Sequence, residues 1–305
     1  MEHSASSSES PVSAKQAADS NPFSPETFKL NWSKQDIEQR IGFSGGRFTN
    51  VNKVVTAIVA VFLTIAFYTM LIYLFQPRPA MRWFTHMFLE RGFVPYSVVF
   101  FFFWSISILF VKARKVRYQK KALDLAAVPQ QPDFVLTPSS ARGVLERIYT
   151  LVDDTKHFML LNRIERALSN LHNIGQISEV SDILRTQAEY DEEQVTSSYG
   201  LLNGFVWAIP VLGFVGTVLG LSQAISAFGS TLETGGDITA IKESLKSVTG
   251  GLANAFETTL IALVAALIVQ LLLTFLQQKE LEFLDQCNDY CHANVVSKLR
   301  LIKNS

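Results

Sequence analysis

The stretch VVTAIVAVFLTIAFYTMLIYLF, residues 54–75, decides the fold class because it carries no charged residue over a length that crosses a bilayer. Roughly 20 consecutive apolar residues span the hydrocarbon core of a membrane as a helix. Lys53 and Arg78 bracket the run. We therefore predict that residues 54–75 form a first transmembrane helix.

A second uncharged run, FVPYSVVFFFFWSISILFV, covers residues 93–111. Six basic residues follow it within residues 112–121, and such clusters mark the cytoplasmic end of a span. The connection at residues 76–92 is too short to hold a domain. Residues 51–121 are thus predicted to form a transmembrane hairpin with the N-terminus in the cytoplasm.

Two further apolar segments, residues 201–228 and 250–276, form a second predicted hairpin within residues 199–276. The polar loop between them, residues 229–247, is extracytoplasmic if orientation alternates along the chain. The C-terminus is then cytoplasmic, and residues 277–305 are predicted to be a helical tail.

The remaining parts of the chain are polar. Residues 1–50 are rich in Ser, Ala and Pro at their start, which predicts a mostly disordered cytoplasmic tail. Residues 122–198 are predicted to be a cytoplasmic helical region, because apolar residues recur every three or four positions from Val144 to Leu168. We expect one amphipathic helix there, ending near Gly175, and a second helix after it. The predicted fold is an all-α polytopic membrane protein with four transmembrane helices.

Composition excludes some classes of function. The chain has 305 residues, of which 48% are hydrophobic and 18% charged, and its 27 basic and 27 acidic residues cancel, which argues against a nucleic-acid surface. Cys287, Cys291 and His292 do not complete a four-ligand zinc site, so no metal and no cofactor are expected. A catalytic base, nucleophile or pocket does not accompany the one acid of the apolar runs, so no enzyme is expected.

The second hairpin differs from the first in its small and faintly polar residues. At 3.6 residues per turn, small side chains and one hydroxyl line one face of each predicted span. On the third span these are Pro210, Gly213, Thr217, Gly220 and Ala224, with Gly216 beside them, and on the fourth they are Gly251, Ala255, Thr259, Ala262, Ala266 and Gln270. Both faces are predicted to pack closely against other helices.

One acid, Glu257, lies within the fourth apolar segment. An ionisable side chain in a membrane is costly unless it faces protein or water. The carboxylate either relays a proton or attracts a cation, or it forms a hydrogen bond at a pore mouth or between subunits. Its depth in the bilayer is left open by the sequence.

The segment WAIPVLGFVGTVLGL, residues 207–221, followed by ESLKSVTGGLANAFETTLIALVAAL, residues 243–267, resembles the paired channel helices of the MotA/TolQ/ExbB proton-channel family. The resemblance implies that Thr217 and Thr259 are pore threonines and that Pro210 is the family's proline before the first of them. It also implies a pentameric ring around two copies of a single-span partner of MotB, TolR or ExbD type. In that partner a membrane aspartate takes up and releases the ion.

The chain departs from the family pattern at three points. TolQ-like and ExbB-like members carry a glutamate where this chain has Asn254, with Glu257 about one turn further on. The family has a later proline in the second channel helix. It would fall near Ile268, and this chain has no proline there. Four spans with both ends inside resemble the flagellar MotA topology more than the three-span form.

We therefore expect the ring-forming channel subunit of an ion-driven motor complex in a bacterial inner membrane, in the first place a proton-driven one. Two alternatives are a self-sufficient ion-coupled secondary transporter that uses Glu257 and a non-conducting membrane scaffold. The sequence leaves open whether the ion is a proton or sodium. It also leaves open the process served, whether flagellar rotation, outer-membrane or protein transport, gliding or phage defence.

Overall fold

Among the residues that the structure describes, four helices are long and apolar enough to cross a membrane. The structure is a computed structural model that describes residues 30–35, 38, 46, 48–75, 78, 81–125, 127–129, 131, 133–169, 171, 177–233 and 238–300. Over those residues the secondary structure is helical, apart from two isolated bridges. The predicted all-α, four-span fold class is confirmed. Most of the predicted N-terminal tail lies outside the described residues.

The first hairpin is built from three helices. Helix α1 covers Lys53–Met70 and continues as a π-helical turn, Leu71–Phe75, helix α2 covers Arg82–Leu89, and helix α3 covers Val94–Lys120. The side chain of Asn52 caps α1 by accepting a hydrogen bond from the N–H of Val54, which satisfies one of the free donors at a helix start.

Helix α2 lies within residues 76–92, which the sequence predicted only as a short connection. Its apolar residues Met87 and Phe88 pack with Tyr68 and Leu71 of the first hairpin and with Val99 of α3. This burial stabilises a helix of only two turns, since short helices gain most of their stability from packing.

The second hairpin consists of two long helices, α7 at Gly200–Glu233 and α8 at Ile238–Cys291. The predicted polar loop at residues 229–247 is therefore largely helical. The hydropathy pattern marks where a helix leaves the bilayer, not where its backbone hydrogen bonds end. The helix continues outside the apolar segment because residues 238–250 contain good helix formers such as Lys242 and Glu243. The predicted C-terminal tail is helical from its start, because α8 continues into it as far as Cys291.

The chain divides into two compact units. The first, here called the polar unit, comprises the described residues within 1–33, 121–188 and 286–305. The second, here called the membrane unit, comprises those within 34–120 and 189–285, and it contains α1, α3, α7 and most of α8.

The polar unit contains α4 at Pro138–Leu151, α5 at Met159–Ser169 and the start of α6 at Ile177–Ser198. The sequence predicted one helix across α4 and α5, and that prediction is wrong, because residues 152–158 interrupt it with an extended residue and a 3₁₀ turn. The predicted helix end near Gly175 lies outside the described residues.

The interruption is stabilised by a segment distant in sequence. The carboxylate of Asp153 accepts hydrogen bonds from the backbone N–H groups of Trp32, at 3.0 Å, and Ser33, at 3.2 Å. The N–H of Leu30 donates to the carbonyl of Leu151 at 2.8 Å. Burial alone would raise the pKa of Asp153, but these hydrogen bonds outweigh it and leave the pKa below its ordinary value.

Candidate functional site

The small-residue faces of the second hairpin meet each other within one chain. A Cβ atom added at Gly213 would lie 2.5 Å from the Cβ of Ala262, and one added at Gly251 would lie 2.6 Å from the Cβ of Ala224. Between them, a Cβ at Gly220 would lie 3.4 Å from that of Ala255. This contact, here called the α7–α8 interface, lets the two backbones approach more closely than larger side chains would allow.

At Gly216 the interface also contacts a third helix, α3. A Cβ atom at this position would lie 2.8 Å from Oγ1 of Thr258 on α8 and 3.2 Å from Cγ1 of Val94 on α3. Val94 also belongs to a buried cluster with Ile209 and Ala262. The first hairpin thus packs directly against the two channel-like helices.

The two threonines of the predicted pore lie opposite each other in this interface. The Oγ1 atoms of Thr217 and Thr259 are 2.5 Å apart, and both side chains are half-buried. The Thr217 hydroxyl is also 3.1 Å from the carbonyl oxygen of Ala255, and the Thr259 hydroxyl is 3.0 Å from that of Gly213. Here these residues are called the threonine pair.

Pro210 lies half-buried inside α7, two turns before Thr217. It has no backbone N–H, so it cannot donate to the carbonyl of Val206 as an ordinary helical residue would. The proline therefore weakens the helix near the threonine pair, and membrane helices tolerate such a residue when neighbours re-satisfy the backbone.

Glu257 belongs to a different contact from the threonine pair. Its Oε2 atom is 2.7 Å from Nη2 and 3.0 Å from Nε of Arg91, which lies just before α3. The side chains are 22% and 13% exposed, so water only partly screens the pair. Residues two positions apart on a helix differ by about 200° around its axis, so Glu257 and Thr259 face different sides of α8.

Sequence reasoning missed Arg91, which lies in the connection predicted at residues 76–92. It also missed a set of polar residues in the membrane unit, of which Lys112, Glu280, Tyr199 and Thr49 are buried and Ser198 is half-buried. The available signal was that Lys112 and Glu280 each lie just beyond an uncharged span at the same predicted side of the membrane. Matched charges at such positions are typical of an ion pair.

The two cysteines lie in the last turns of α8. Cys287 and Cys291 are buried and are not joined in a disulfide. Among the residues that the structure describes, His, Cys, Asp and Glu side chains do not gather in a group of three or more that would hold a metal ion.

Comparison with known proteins bears on the same region. The sequence model of the MotA/TolQ/ExbB proton channel family matches residues 156–288, which include the whole α7–α8 interface. Searches of curated proteins and of solved structures gave no significant match. The threonine pair and the glycine-lined contact of α7 and α8 therefore lie in the part of the chain, residues 156–288, that is similar to the MotA/TolQ/ExbB proton channel family.

Proposed function

We propose that the protein is the ring-forming channel subunit of an ion-driven motor complex in a bacterial inner membrane, with protons as the first candidate ion. The match of residues 156–288 to the MotA/TolQ/ExbB family model supports a proton channel subunit of a stator-like complex. The proposal adds a homo-oligomeric ring, a pentamer by the family resemblance, around a single-span partner of MotB, TolR or ExbD type.

The observation that carries the proposal is the threonine pair. Its two hydroxyls and the carbonyl oxygens of Ala255 and Gly213 place four polar atoms together in the α7–α8 interface, where the hydroxyl of Thr258 also donates to the carbonyl of Ala255. Such atoms are costly in hydrocarbon, which favours a site that lines a hydrated route. Because both threonines are half-buried, their exposed edges remain available to a partner.

The titrating acid of the route must come from another chain. Glu257 is the acid within the apolar part of α8, and Arg91 holds its carboxylate by contacts from two nitrogen atoms. The carboxylate is thus engaged in an ion pair on a different side of α8 from the threonine pair. This favours a partner aspartate as the ion carrier and disfavours a transporter that works through Glu257.

The proposal is tested by ion flux. The protein is purified from its native membrane with whatever single-span protein accompanies it, the partner is identified by mass spectrometry, and the complex is reconstituted in vesicles that contain a pH-sensitive dye. Thr217→Val or Thr259→Val is expected to slow proton flux about tenfold if each hydroxyl contributes about 1.4 kcal/mol to ion passage.

The matched control is Thr64→Val on α1. Its hydroxyl also bonds to a helical carbonyl, that of Ala60 at 2.8 Å, but it lies in the first hairpin. Flux should be unchanged in this variant. Equal flux in the wild type, Thr217→Val and Thr259→Val would favour a non-conducting scaffold. Robust flux by the chain alone that is lost in Glu257→Gln would favour the transporter.

A further inference from the structure

A fully buried ion pair joins α3 to α8 in the membrane unit. Lys112 is 1% exposed and Glu280 is 0% exposed, and the Lys112 Nζ lies 3.0 and 3.2 Å from the two carboxylate oxygens. Tyr199, which directly precedes α7 and is also 0% exposed, donates its O–H to Glu280 Oε2 at 2.7 Å. These three residues are here called the Lys–Glu cluster.

Other groups complete the hydrogen bonding of the cluster. The Nζ of Lys112 donates to Oγ of Ser198 at 2.8 Å and lies 4.5 Å from the ring centroid of Tyr199. The hydroxyl of Thr49 donates to Oε1 of Glu280. The charges are therefore compensated, which a buried ion requires.

A buried ion pair of this kind does not add much net stability. Desolvating the two charges offsets most of their attraction, and replacement by well-packed apolar residues is often neutral or stabilising. The best attested use of buried polar groups is to select one register of packed helices over its alternatives.

The position of the cluster allows it to fix how α8 is aligned along α7. Tyr199 and Thr217 are about 27 Å apart along α7, and Thr259 and Glu280 are about 32 Å apart along α8, at about 1.5 Å per residue. Both contacts are present in the same structure, so the cluster and the threonine pair tie the two antiparallel helices at two levels in one register. The α7–α8 interface needs such control, because Gly213 has room opposite it for nothing larger than Ala262.

We propose that the Lys–Glu cluster sets the register of α8 against α7 and so holds Thr259 beside Thr217. Lys112, Tyr199 and Glu280 are positioning residues in this view. Without the cluster, α8 shifts relative to α7, and a different face of α8 meets the glycines of α7. The register does not depend on the proposed function, whereas its consequence for ion flow does.

Disulfide cross-linking of the full chain in membranes tests the register. In a background in which Cys287 and Cys291 are replaced by Ala, the reporter variant Thr217→Cys/Thr259→Cys is oxidised, and linked peptides from the monomer band are identified by mass spectrometry. The neighbouring hydroxyls predict a high yield of this cross-link. The off-register reporter Thr217→Cys/Leu263→Cys, one helical turn away, should give a low yield.

The double substitution Lys112→Met/Glu280→Met removes both charges together. It is introduced into both the in-register and the off-register reporter variants. The ratio of the in-register to the off-register cross-link should fall about tenfold, the change that about 1.4 kcal/mol of register preference produces. The charge swap Lys112→Glu/Glu280→Lys should restore part of the ratio. An unchanged ratio in the Met variant would overturn the proposal.

A second buried pair on α3 supplies the matched control. The Nζ of Lys115 lies 2.6 Å from Oε2 of Glu38, and these side chains are 4% and 1% exposed. This ion pair joins α3 to the segment before α1, so Lys115→Met/Glu38→Met should leave the cross-link ratio unchanged. An equal fall in this control would show that any lost buried pair disturbs the hairpin, and the proposal would be wrong.

Tyr199→Phe covers the case in which the Met variant fails to fold. It removes one hydrogen bond to Glu280 and keeps the ion pair, and a smaller fall of the same ratio is expected. If Tyr199→Phe leaves the ratio at the wild-type value, the cluster does not set the register. Normal cross-linking combined with absent proton flux in the wild type would count against the proposed function and leave the register inference standing.

Discussion

Adding one methyl group at Gly213 tests how tightly the α7–α8 interface is packed. In Gly213→Ala the new Cβ would lie 2.5 Å from the Cβ of Ala262 and 3.2 Å from the Cα of Thr259. Carbon atoms pack best at about 3.5 to 4.0 Å, so the helices must separate by about 1 Å or more. Overpacking of this kind costs about 1 to 3 kcal/mol.

A glycine-to-alanine substitution at Gly204, also on α7, serves as the control that isolates the cost of overpacking. A Cβ atom at Gly204 meets no other atom within 4 Å, so Gly204→Ala changes only the helix propensity. Alanine is favoured over glycine in a helix by up to about 1 kcal/mol. Gly204→Ala should therefore be neutral or stabilising, and Gly213→Ala should be less stable than it by about 1 to 3 kcal/mol.

The assay is reversible unfolding of the full chain in mixed detergent micelles, followed by far-ultraviolet circular dichroism. Gly220→Ala provides an intermediate point, because its Cβ would make ordinary contact with Ala255 at 3.4 Å. The expected order of stability is Gly204→Ala, then Gly220→Ala, then Gly213→Ala. Equal stability of Gly213→Ala and Gly204→Ala would refute the close approach of α7 and α8.

Three further results are expected. In a double-mutant cycle, Arg91→Gln and Glu257→Gln should couple by about 1 to 3 kcal/mol in the same unfolding assay, whereas additive effects would mean that the pair does not form. The folded-state pKa of Asp153 is lowered, so its contribution to stability is present above the unfolded pKa of about 4 and is lost as the pH falls below it. The hydrogen-exchange protection of the Trp32 amide should fall over that range, and Asp153→Asn should remove the pH dependence. Cys287, which is 0% exposed, should react with maleimide only after denaturation, as measured by peptide mass spectrometry, and rapid labelling in the folded state would contradict its burial.

The spans could be predicted from sequence because each is a local property. A charge-free run of sufficient length signals a membrane helix by itself, as residues 54–75 do. The faces of small residues were predicted in the same way, since helical spacing aligns Gly213 with Thr217. The spacing did not reveal that the two faces pack against each other.

What the sequence could not show depends on distant partners. The carboxylate of Asp153 interrupts a helical pattern because it binds Trp32, and the two are 121 residues apart. Lys112 was interpreted as one of several basic residues at a membrane surface, but it is buried against Glu280, which lies 168 residues away. A charge pattern predicts on which side of the membrane a residue lies and does not predict what that residue contacts.

The orientation of the two hydroxyl protons in the threonine pair has a consequence for selectivity. Each hydroxyl carries one hydrogen, and the neighbouring hydroxyl and the carbonyl oxygens of Ala255 and Gly213 can use both hydrogens within the interface. The oxygen lone pairs are then what remain for a passing species. In the proposed ion route these lone pairs would solvate hydronium or a metal cation, whereas chloride would find no donor in the threonine pair.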